Sequence, residues 1–245
     1  MAFTKSLFFV FCLFALSCSQ KAREIDYTDW SHYGGPEDGS RYSALTQINK
    51  ENVAQLEVAW TYRTGDATER SQIQCQPILV GDLLYGTTPK LNVFALNAAK
   101  GEEVWRFDPF TVLGGENSWA GTNRGVSYWE EGNDKRILFT AGNWLMAVNA
   151  LTGEPILTFG DQGKVDLRKD LDHDSEDFLI VSNSPGVVFE DKLILGMRLS
   201  EGLDAAPGHV RAYNVRQGSG NGFSIPFHKP ASLGMKPGIR NLSRK

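Results

Sequence analysis

Two charged side chains stand in loop motifs beside predicted strands, where a side chain is free to contact a ligand. Arg124 lies in the turn-like motif Thr-Asn-Arg-Gly, and Glu201 lies in the motif Leu-Ser-Glu-Gly. A guanidinium is a planar donor that can form paired hydrogen bonds with an acidic group. A carboxylate is an oxygen ligand for a hard cation. Each residue also has an ordinary interpretation, as a surface arginine and as a solvated loop carboxylate.

Further polar side chains near these motifs are candidates for binding a ligand. Gln74 and Ser182 each precede a proline by three residues, and Arg198 and Ser200 stand close to the loop glutamate. A glutamine can hydrogen-bond a ligand but carries no charge, and a serine at this position is equally explained as a turn residue. The acidic run at residues 170–177 lacks the glycine and the final glutamate of a calcium-binding loop, so a solvated loop is predicted there.

A repeated turn motif indicates the fold that must position these residues. The chain reads Ala-Leu-Asn-Ala-Ala-Lys-Gly at residues 95–101, Ala-Val-Asn-Ala-Leu-Thr-Gly at 147–153 and Ala-Tyr-Asn-Val-Arg-Gln-Gly at 212–218. Alternating apolar residues end one strand, Asn and Gly supply the turn, and another strand begins. Recurrence at intervals of roughly 50–65 residues is typical of a repeat architecture. The sequence therefore predicts an all-β fold, an incomplete β-propeller of about three blades.

Short apolar runs around each turn motif predict the strands of one blade. We predict four strands for each of the first two blades but only three for the third, because the alternating pattern stops after Gly218. The predicted strands are residues 77–80, 83–88, 92–96 and 104–107, then 126–129, 137–141, 145–149 and 156–159, and finally 185–189, 193–198 and 209–214.

Residues 217–245 are rich in Gly, Ser, Pro, Lys and Arg, so one interpretation is a disordered tail. A reading frame that starts one base earlier permits Thr-Gly-Lys-Arg-Glu-Trp at residues 217–222, which completes the third turn motif with a tryptophan. We therefore predict that one base has been lost near Arg216 and that the tail is out-of-frame translation. The predicted propeller then spans residues 29–216, after a linker at residues 18–28.

Several longer motifs within residues 29–216 resemble one family, the periplasmic quinoprotein dehydrogenases that use pyrroloquinoline quinone (PQQ). The resemblance implies an eight-bladed propeller of which this chain holds the N-terminal portion. It also implies that tryptophans at the turn motifs dock neighbouring blades; Trp105 fits this role, and Leu157 stands where the second blade would carry its tryptophan. The motifs that carry the resemblance are Trp30-Ser-His-Tyr-Gly-Gly35, Gln47-Ile-Asn-Lys-Glu-Asn-Val53, Leu56-Glu-Val-Ala-Trp60, Asn123-Arg-Gly-Val-Ser-Tyr-Trp129, Phe159-Gly-Asp-Gln-Gly163, Ser200-Glu-Gly202 and Pro207-Gly-His-Val-Arg211.

The resemblance implies a role for each candidate side chain. Arg124 corresponds to an arginine that helps to hold the acidic quinone, and Glu201 corresponds to a glutamate that ligates a calcium ion beside it. Ser182 and Ser200 stand near positions that contact the cofactor, whereas Gln74 replaces a glutamate that relatives often carry. The family's catalytic aspartate and its further calcium ligands belong to later blades. The resemblance therefore implies no catalytic residue in this chain, which by itself is expected to be inactive.

The substrate class follows from one departure within the resemblance. Alcohol-oxidising members carry a vicinal cysteine pair just before the Asn-Arg-Gly motif, where this chain has Ser118-Trp119. The implied activity is therefore glucose-dehydrogenase-like oxidation of a sugar or polyol, with PQQ and calcium as cofactors and a quinone or cytochrome as electron acceptor. The alternative is a non-catalytic propeller lipoprotein that binds envelope proteins, since such proteins share the turn motif and a lipidated cysteine.

The N-terminus and the composition indicate an exported protein. Residues 1–17 place Lys5 before an apolar core and form a secretory signal, too short to span a membrane. Cys18 follows Ala-Leu-Ser, where a lipoprotein signal would be cleaved and acylated; ordinary cleavage after Ser17 is the alternative. A net charge of −4 and a pI near 5.6 argue against nucleic acid as a partner. We expect a periplasmic protein that contacts the membrane only through a lipid anchor at Cys18.

Overall fold

Three four-stranded antiparallel sheets form successive blades, which confirms the predicted incomplete propeller. Helical structure in the described residues is limited to a 3-10 turn at Val53–Gln55 and a short helix, α1, at Phe110–Leu113. No helix within those residues is long and apolar enough to cross a membrane. The computed structural model describes residues 25–114, 122–171, 179–202, 205–206 and 208–224. Outside them lie the signal segment, Cys18, Ser118-Trp119, most of the acidic run and the tail beyond residue 224.

Each blade is a meander of antiparallel strands, and one small ladder lies apart from the blades. The first blade contains β1 (Ile78–Val80), β2 (Leu83–Thr87), β3 (Val93–Asn97) and β4 (Glu103–Phe107). The second contains β5 (Ser127–Glu131), β6 (Asp134–Ala141), β7 (Trp144–Asn149) and β8 (Lys164–Asp166). The third contains β10 (Val187–Phe189), β11 (Lys192–Leu195), β13 (Val210–Asn214) and β14 (Gly220–Ser224), while β9 (Ile180–Val181) pairs with β12 (Arg198–Leu199).

The three turn motifs fold in the same way. The carbonyls of Asn97, Asn149 and Asn214 each accept the N–H of the glycine four residues later, at 2.8 Å in all three motifs. Those glycines have φ of 71°, 74° and 71°, the left-handed region that glycine adopts without steric cost. Each asparagine side chain also accepts a backbone N–H inside its turn. The sequence repeat is therefore a repeat of structure.

The second blade buries both of its faces, as the middle blade of three must. Alternate residues of its central strands face opposite sides. Met146 and Val148 join the core shared with the first blade, whereas Leu145 and Ala147 join the core shared with the third. Each fully buried large aliphatic side chain contributes about 1.5–3 kcal/mol relative to exposure. Blade-to-blade packing thus fixes the relative positions of the loops that precede the first strands.

The fourth strand of the second blade lies later in the chain than predicted. It spans Lys164–Asp166 instead of residues 156–159. A single bridge, between Val148 and Pro155, continues the pairing directly after the turn motif. The pairing continues only to Ile156, whose N–H donates to the Ala147 carbonyl at 3.0 Å, because the Phe159 N–H then donates back to the Ile156 carbonyl at 2.9 Å and the chain turns. Leu157 consequently does not fill the place of a docking tryptophan, since its side chain is 56% exposed.

The prediction that no fourth strand follows the third turn motif is wrong. β14 pairs with β13, with Val210 opposite Ser224 and Arg211 opposite Phe223. Strand pairing uses backbone N–H and C=O groups, which every residue other than proline supplies whatever its side chain. The residues of β14 include no proline. The proposed loss of one base concerns the coding DNA and stays a prediction.

Candidate functional site

Three extended segments lie side by side where the chain enters the three blades. They are residues 74–76, 122–124 and 182–184, which precede β1, β5 and β10. The Gln76 N–H donates to the Arg124 carbonyl at 2.9 Å. The Arg124 N–H in turn donates to the Asn183 carbonyl at 2.7 Å. The first strands of neighbouring blades meet at the centre of a propeller, so these segments form one surface at its central channel.

Alternate side chains of the first two segments point into the blades. The Thr87 N–H donates to the Cys75 Sγ at 3.2 Å, and burial raises the pKa of this thiol. The Asn123 amide donates from Nδ2 to the Thr140 carbonyl at 2.9 Å. Successive side chains of an extended chain point to opposite sides. The residue that follows each of these two therefore faces the channel.

Arg124 is the channel-facing residue of the second segment. Its side chain is exposed, and its Nη1 lies 3.5 Å from the Ser184 Oγ, a distance at the upper limit of a hydrogen bond. No carboxylate among the described residues forms an ion pair with it. The junction of the three segments thus presents a guanidinium whose donors are available to an acidic ligand.

The two neighbours of Arg124 shape the backbone, as expected from the sequence. The Asn123 Oδ1 accepts the Gly125 N–H at 2.7 Å, which closes a tight turn around the arginine. Gly125 has φ of 144°, and a Cβ at this position would lie 2.9 Å from the Gln76 carbonyl oxygen. Only glycine fits this close approach. The Asn-Arg-Gly motif therefore fixes the point on the surface from which the Arg124 side chain projects.

Ser182 and Asn183 support this surface from the third blade. Ser182 is 6% exposed, and its Oγ lies 2.8 Å from the Gly196 carbonyl and 3.1 Å from the Ser184 carbonyl. Its one proton is therefore committed to the backbone, in agreement with the turn interpretation. The Asn183 Nδ2 donates to the Thr122 carbonyl at 2.7 Å, while its buried Oδ1 has no hydrogen-bond partner among the described residues. This amide holds the arginine segment in place.

Gln74 makes only a local contact. Its side chain is exposed, and its Nε2 donates to the Gln72 Oε1 at 2.9 Å. The residue of this segment with a distant partner is Gln76, whose Oε1 accepts a hydrogen bond from the Arg41 Nη1 at 2.8 Å. Neither Gln76 nor Arg41 was predicted from the sequence as a site residue. The Trp30–Gly35 motif, which carries part of the family resemblance, could have indicated a role for the residues that follow it.

The structure does not bring Glu201 and Ser200 into contact with the three segments. Arg198 pairs with Val181 and Leu199 pairs with Ile180 in an antiparallel ladder. The chain therefore moves farther from Ser182 with each residue after Leu199. Glu201 is exposed and Ser200 is partly buried. In the part of the chain that the structure describes, no three His, Cys, Asp or Glu side chains are grouped to hold a metal ion. The roles of these two residues stay predictions.

The side chains at the junction of the three segments fit an anionic quinone better than they fit a calcium ion. Arg124 is exposed and offers donors to the carboxylates of such a ligand, and the only side chain within hydrogen-bond distance of its guanidinium among the described residues is Ser184. A calcium ion takes about 6–8 oxygen ligands. Glu201 supplies only one carboxylate, so the described residues do not by themselves form a calcium site.

Comparison with known proteins identifies similar sequences over most of the chain. The family described as "PQQ: Glucose/ethanol/alcohol dehydrogenase, beta-propeller domain" matches residues 30–221. The quinoprotein glucose dehydrogenase of Escherichia coli (strain K12) is 31% identical over 209 residues, which cover 78% of this chain and 26% of that protein. The quinate/shikimate dehydrogenase (quinone) of Acinetobacter baylyi is 29% identical over 239 residues, covering 86% of this chain and 29% of that protein.

A solved structure agrees with the sequence matches. The quinohemoprotein alcohol dehydrogenase from Pseudomonas putida HK5 superposes with a TM-score of 0.63 and 26% identity, covering 80% of this chain and 26% of that chain. The chain thus spans between a quarter and a third of the length of these relatives. The similarity extends across all three blades and includes the three segments at the channel.

Proposed function

Because the chain belongs to the family of PQQ-dependent glucose, ethanol and alcohol dehydrogenases through its β-propeller domain, we propose that it is part of a quinoprotein dehydrogenase that oxidises a sugar or polyol. The observation that carries this proposal is the convergence of three blade-entry segments on Arg124, an exposed guanidinium without a carboxylate partner among the described residues. A non-catalytic scaffold needs no such cation at its channel, so the dehydrogenase is preferred to the envelope-binding alternative.

The residues of this chain hold and orient the cofactor. When bound, PQQ accepts the two electrons and two protons that a C–OH group loses as it becomes a carbonyl. Arg124 pairs with the acidic part of the quinone. Asn183 and Gly125 fix the backbone from which that arginine projects.

Calcium binding at Glu201 belongs to the same proposal. Glu201, an exposed carboxylate next to the partly buried Ser200 hydroxyl, would offer oxygen ligands to a cation, which would supply Lewis-acid chemistry to the site. Since one carboxylate is insufficient, the remaining ligands must come from groups other than the described side chains. Loss of the glutamate should therefore weaken calcium binding without abolishing it.

The substrate and the acceptor are proposed at the level of class. The two relatives above are named for glucose and for quinate or shikimate. A polyhydroxylated substrate is thus consistent with both, and glucose is the first compound to test. We propose a quinone or a cytochrome as the acceptor, since electrons from a periplasmic oxidation must reach the respiratory chain.

By itself, this chain is expected to be inactive and prone to aggregate. Val187 and Phe189 on the first strand of the third blade are 64% and 61% exposed. On the segment before the first blade, Val58 is 81% exposed. Exposed apolar surface of this kind promotes association. In a propeller, neighbouring blades would cover both faces and would complete the central site.

Export is proposed on the N-terminal signal, with a lipid anchor at Cys18. Cells that express the chain and are labelled with radioactive palmitate should incorporate label in the membrane fraction. Cys18→Ser should abolish the label while export continues. Label that persists in Cys18→Ser, or wild-type protein without label, would contradict the lipid anchor.

The activity is tested with protein expressed from the genomic locus after the base predicted to be lost near Arg216 has been restored. Glucose-driven dye reduction should require added PQQ and calcium, and Arg124→Gln should lower it at least about tenfold at limiting PQQ. Excess PQQ should partly restore Arg124→Gln, whereas excess calcium should partly restore Glu201→Ala. Dye reduction without PQQ, or no reduction with any sugar or polyol tested, would contradict the proposal.

A further inference from the structure

The segment before the first blade crosses the inner strands of all three blades. This segment, residues 30–41, is called the strap. The Leu79 N–H donates to the Trp30 carbonyl at 3.0 Å, so the strap adds to β1. A Cβ at Gly125 would lie 3.7 Å from the Tyr33 ring, beside the second blade. The strap also encloses a cavity of about 190 Å³ against residues 127–128 and 185–188 of the second and third blades.

Arg41, at the end of the strap, has an unusual backbone conformation that specific contacts maintain. Its φ is 57°, in the left-handed region that non-glycine residues rarely adopt, and its N–H donates to the Gly34 carbonyl at 2.8 Å. Its guanidinium carbon lies 5.3 Å from the centre of the Tyr33 ring. Backbone strain of this kind often accompanies function.

Gln76 connects Arg41 to the site already described. The Gln76 Oε1 accepts a hydrogen bond from Arg41, and the Gln76 backbone N–H donates to the Arg124 carbonyl. The two arginines therefore occupy adjoining positions on the channel surface. Both side chains are exposed, and neither forms an ion pair with a carboxylate among the described residues. Two unneutralised guanidiniums that share a neighbour favour an anion between or beside them.

We propose that Arg41 is a second anion-binding residue, which together with Arg124 binds a carboxylate at the central channel. This inference rests on the proposed function, because it extends the site assigned there to the quinone. The carboxylate belongs either to the quinone or to an acidic, hydroxylated substrate. Gln76 acts as a positioning residue, since it fixes the Arg41 guanidinium through the 2.8 Å hydrogen bond.

The proposal is tested by ligand binding to the protein expressed with the lost base restored, at low ionic strength, where charge pairs are least screened. The ligands are PQQ, its methyl-esterified form and gluconate. The variants are Arg41→Gln, Arg41→Lys and Arg124→Gln. Lys100→Gln is the control because Lys100 is an exposed cation in the first turn motif, at the opposite end of the first blade's strands. Thermal melts of all variants establish that they are folded.

Arg41→Gln and Arg124→Gln should each weaken the binding of PQQ about tenfold, which is 1.4 kcal/mol. The esterified quinone should bind the wild type and Arg41→Gln alike, because it has no carboxylate to pair. Arg41→Lys should restore part of the affinity, since it keeps the charge but loses the planar pair of donors. Lys100→Gln should bind PQQ as the wild type does. If gluconate binding responds to Arg41→Gln and PQQ binding does not, the carboxylate is that of a substrate.

Three results would overturn the inference, and they differ in their consequence for the proposed function. If Arg41→Gln binds both carboxylate ligands like the wild type while Arg124→Gln is weakened, the inference fails and the proposed function survives. If the folded wild type binds neither PQQ nor gluconate, the inference and the assigned quinone site fail together. An equal loss for PQQ and its ester would likewise contradict carboxylate binding by Arg41.

Discussion

The two interfaces between the blades use the same turn motif but different donors. Between the first and second blades, the Trp105 indole N–H donates to the Ala150 carbonyl at 2.9 Å. Between the second and third blades, the Arg136 Nη1 donates to the Arg216 carbonyl at 2.8 Å and to the Val215 carbonyl at 3.2 Å. The turn motif thus directs carbonyl groups toward the neighbouring blade, and either an indole or a guanidinium of that blade donates to them.

The donors differ in what else they bring to the interface. Trp105 is 8% exposed and adds a large apolar surface. The side chain of Arg136 is 9% exposed, and a buried guanidinium is stable only with a partner. Asp134 is that partner, with contacts of 2.8 Å to Nε and 2.7 Å to Nη2. The second interface also contains a buried indole, since the Trp129 Nε1 donates to the Glu190 carbonyl at 3.0 Å. We therefore expect the Arg136–Asp134 pair to make the second interface depend on pH.

The largest effect is expected for Trp105→Ala. It removes a buried indole and should lower the free energy of unfolding by about 3–5 kcal/mol. Trp105→Phe keeps most of the apolar surface and loses the hydrogen bond to Ala150, so it should cost about 1–2 kcal/mol. Urea denaturation of both variants measures the difference. Equal losses for the two would show that the apolar contact contributes little.

The next effect is expected at the glycine against which that tryptophan packs. Gly153 has φ of 74°, and a Cβ there would lie 2.6 Å from the Trp105 ring. Gly142 has φ of 61° with nothing within 4 Å, so Gly142→Ala measures the backbone cost alone, about 1–2 kcal/mol. Gly153→Ala should cost a further 1–3 kcal/mol, roughly, from overpacking. Equal melting temperatures for the two variants would contradict the close docking.

Arg136→Met should lower the free energy of unfolding by about 2 kcal/mol. The change keeps much of the side-chain volume but leaves the two carbonyls of the third turn motif without this donor. Asp134 also loses its partner. In a double-mutant cycle, Asp134→Asn should cost less in the Arg136→Met background than in the wild type. Additive losses would show that the pair is not coupled.

The smallest effect is the pH dependence of the second interface. The hydrogen bonds from Arg136 hold the pKa of Asp134 below its ordinary value of 3.8. This stabilisation is complete above pH 3.8 and is lost as the pH falls through the lower pKa of the folded state. Because the Asp134 side chain is 41% exposed, solvent screening limits the effect to less than about 1 kcal/mol.

The measurement is the melting temperature between about pH 5 and pH 2.5. The wild type should lose more stability over this range than Asp134→Asn, which has no carboxyl to protonate at this position. Other carboxyl groups titrate in both proteins, so the comparison isolates the contribution of Asp134. Parallel pH profiles for the two proteins would contradict the coupling to Arg136.

The repeated motif was predictable because its geometry is local. Asn97, Asn149 and Asn214 each bond to residues within the same turn, so the residue types alone specify the conformation. The position of β8 was not predictable in this way. Residues 156–159 have a strand-like composition, but the Phe159 N–H donates back to the Ile156 carbonyl, so the chain turns there and the pairing resumes only at Lys164.

The site was predictable only in part. Arg124 stands in a local Asn-Arg-Gly turn, and its position was correctly placed beside a strand. Arg41 reaches Gln76 across 35 residues of sequence, from a left-handed backbone conformation that no residue pattern signals. The role of Arg136 in docking the blades could not be predicted either. Arg136 lies on β6, the second strand of its blade, whereas the docking Trp105 lies on β4, the fourth strand of its blade.

The most direct test of the central claim is a crystal structure, grown with PQQ and calcium, of the protein expressed with the lost base restored. We predict the quinone at the central channel, with a carboxylate within hydrogen-bond distance, about 2.7–2.9 Å, of the Arg124 guanidinium. We also predict residues 74–76, 122–124 and 182–184 on one wall of that site. A quinone bound elsewhere, or Arg124 paired with a protein carboxylate at an empty channel, would contradict the account.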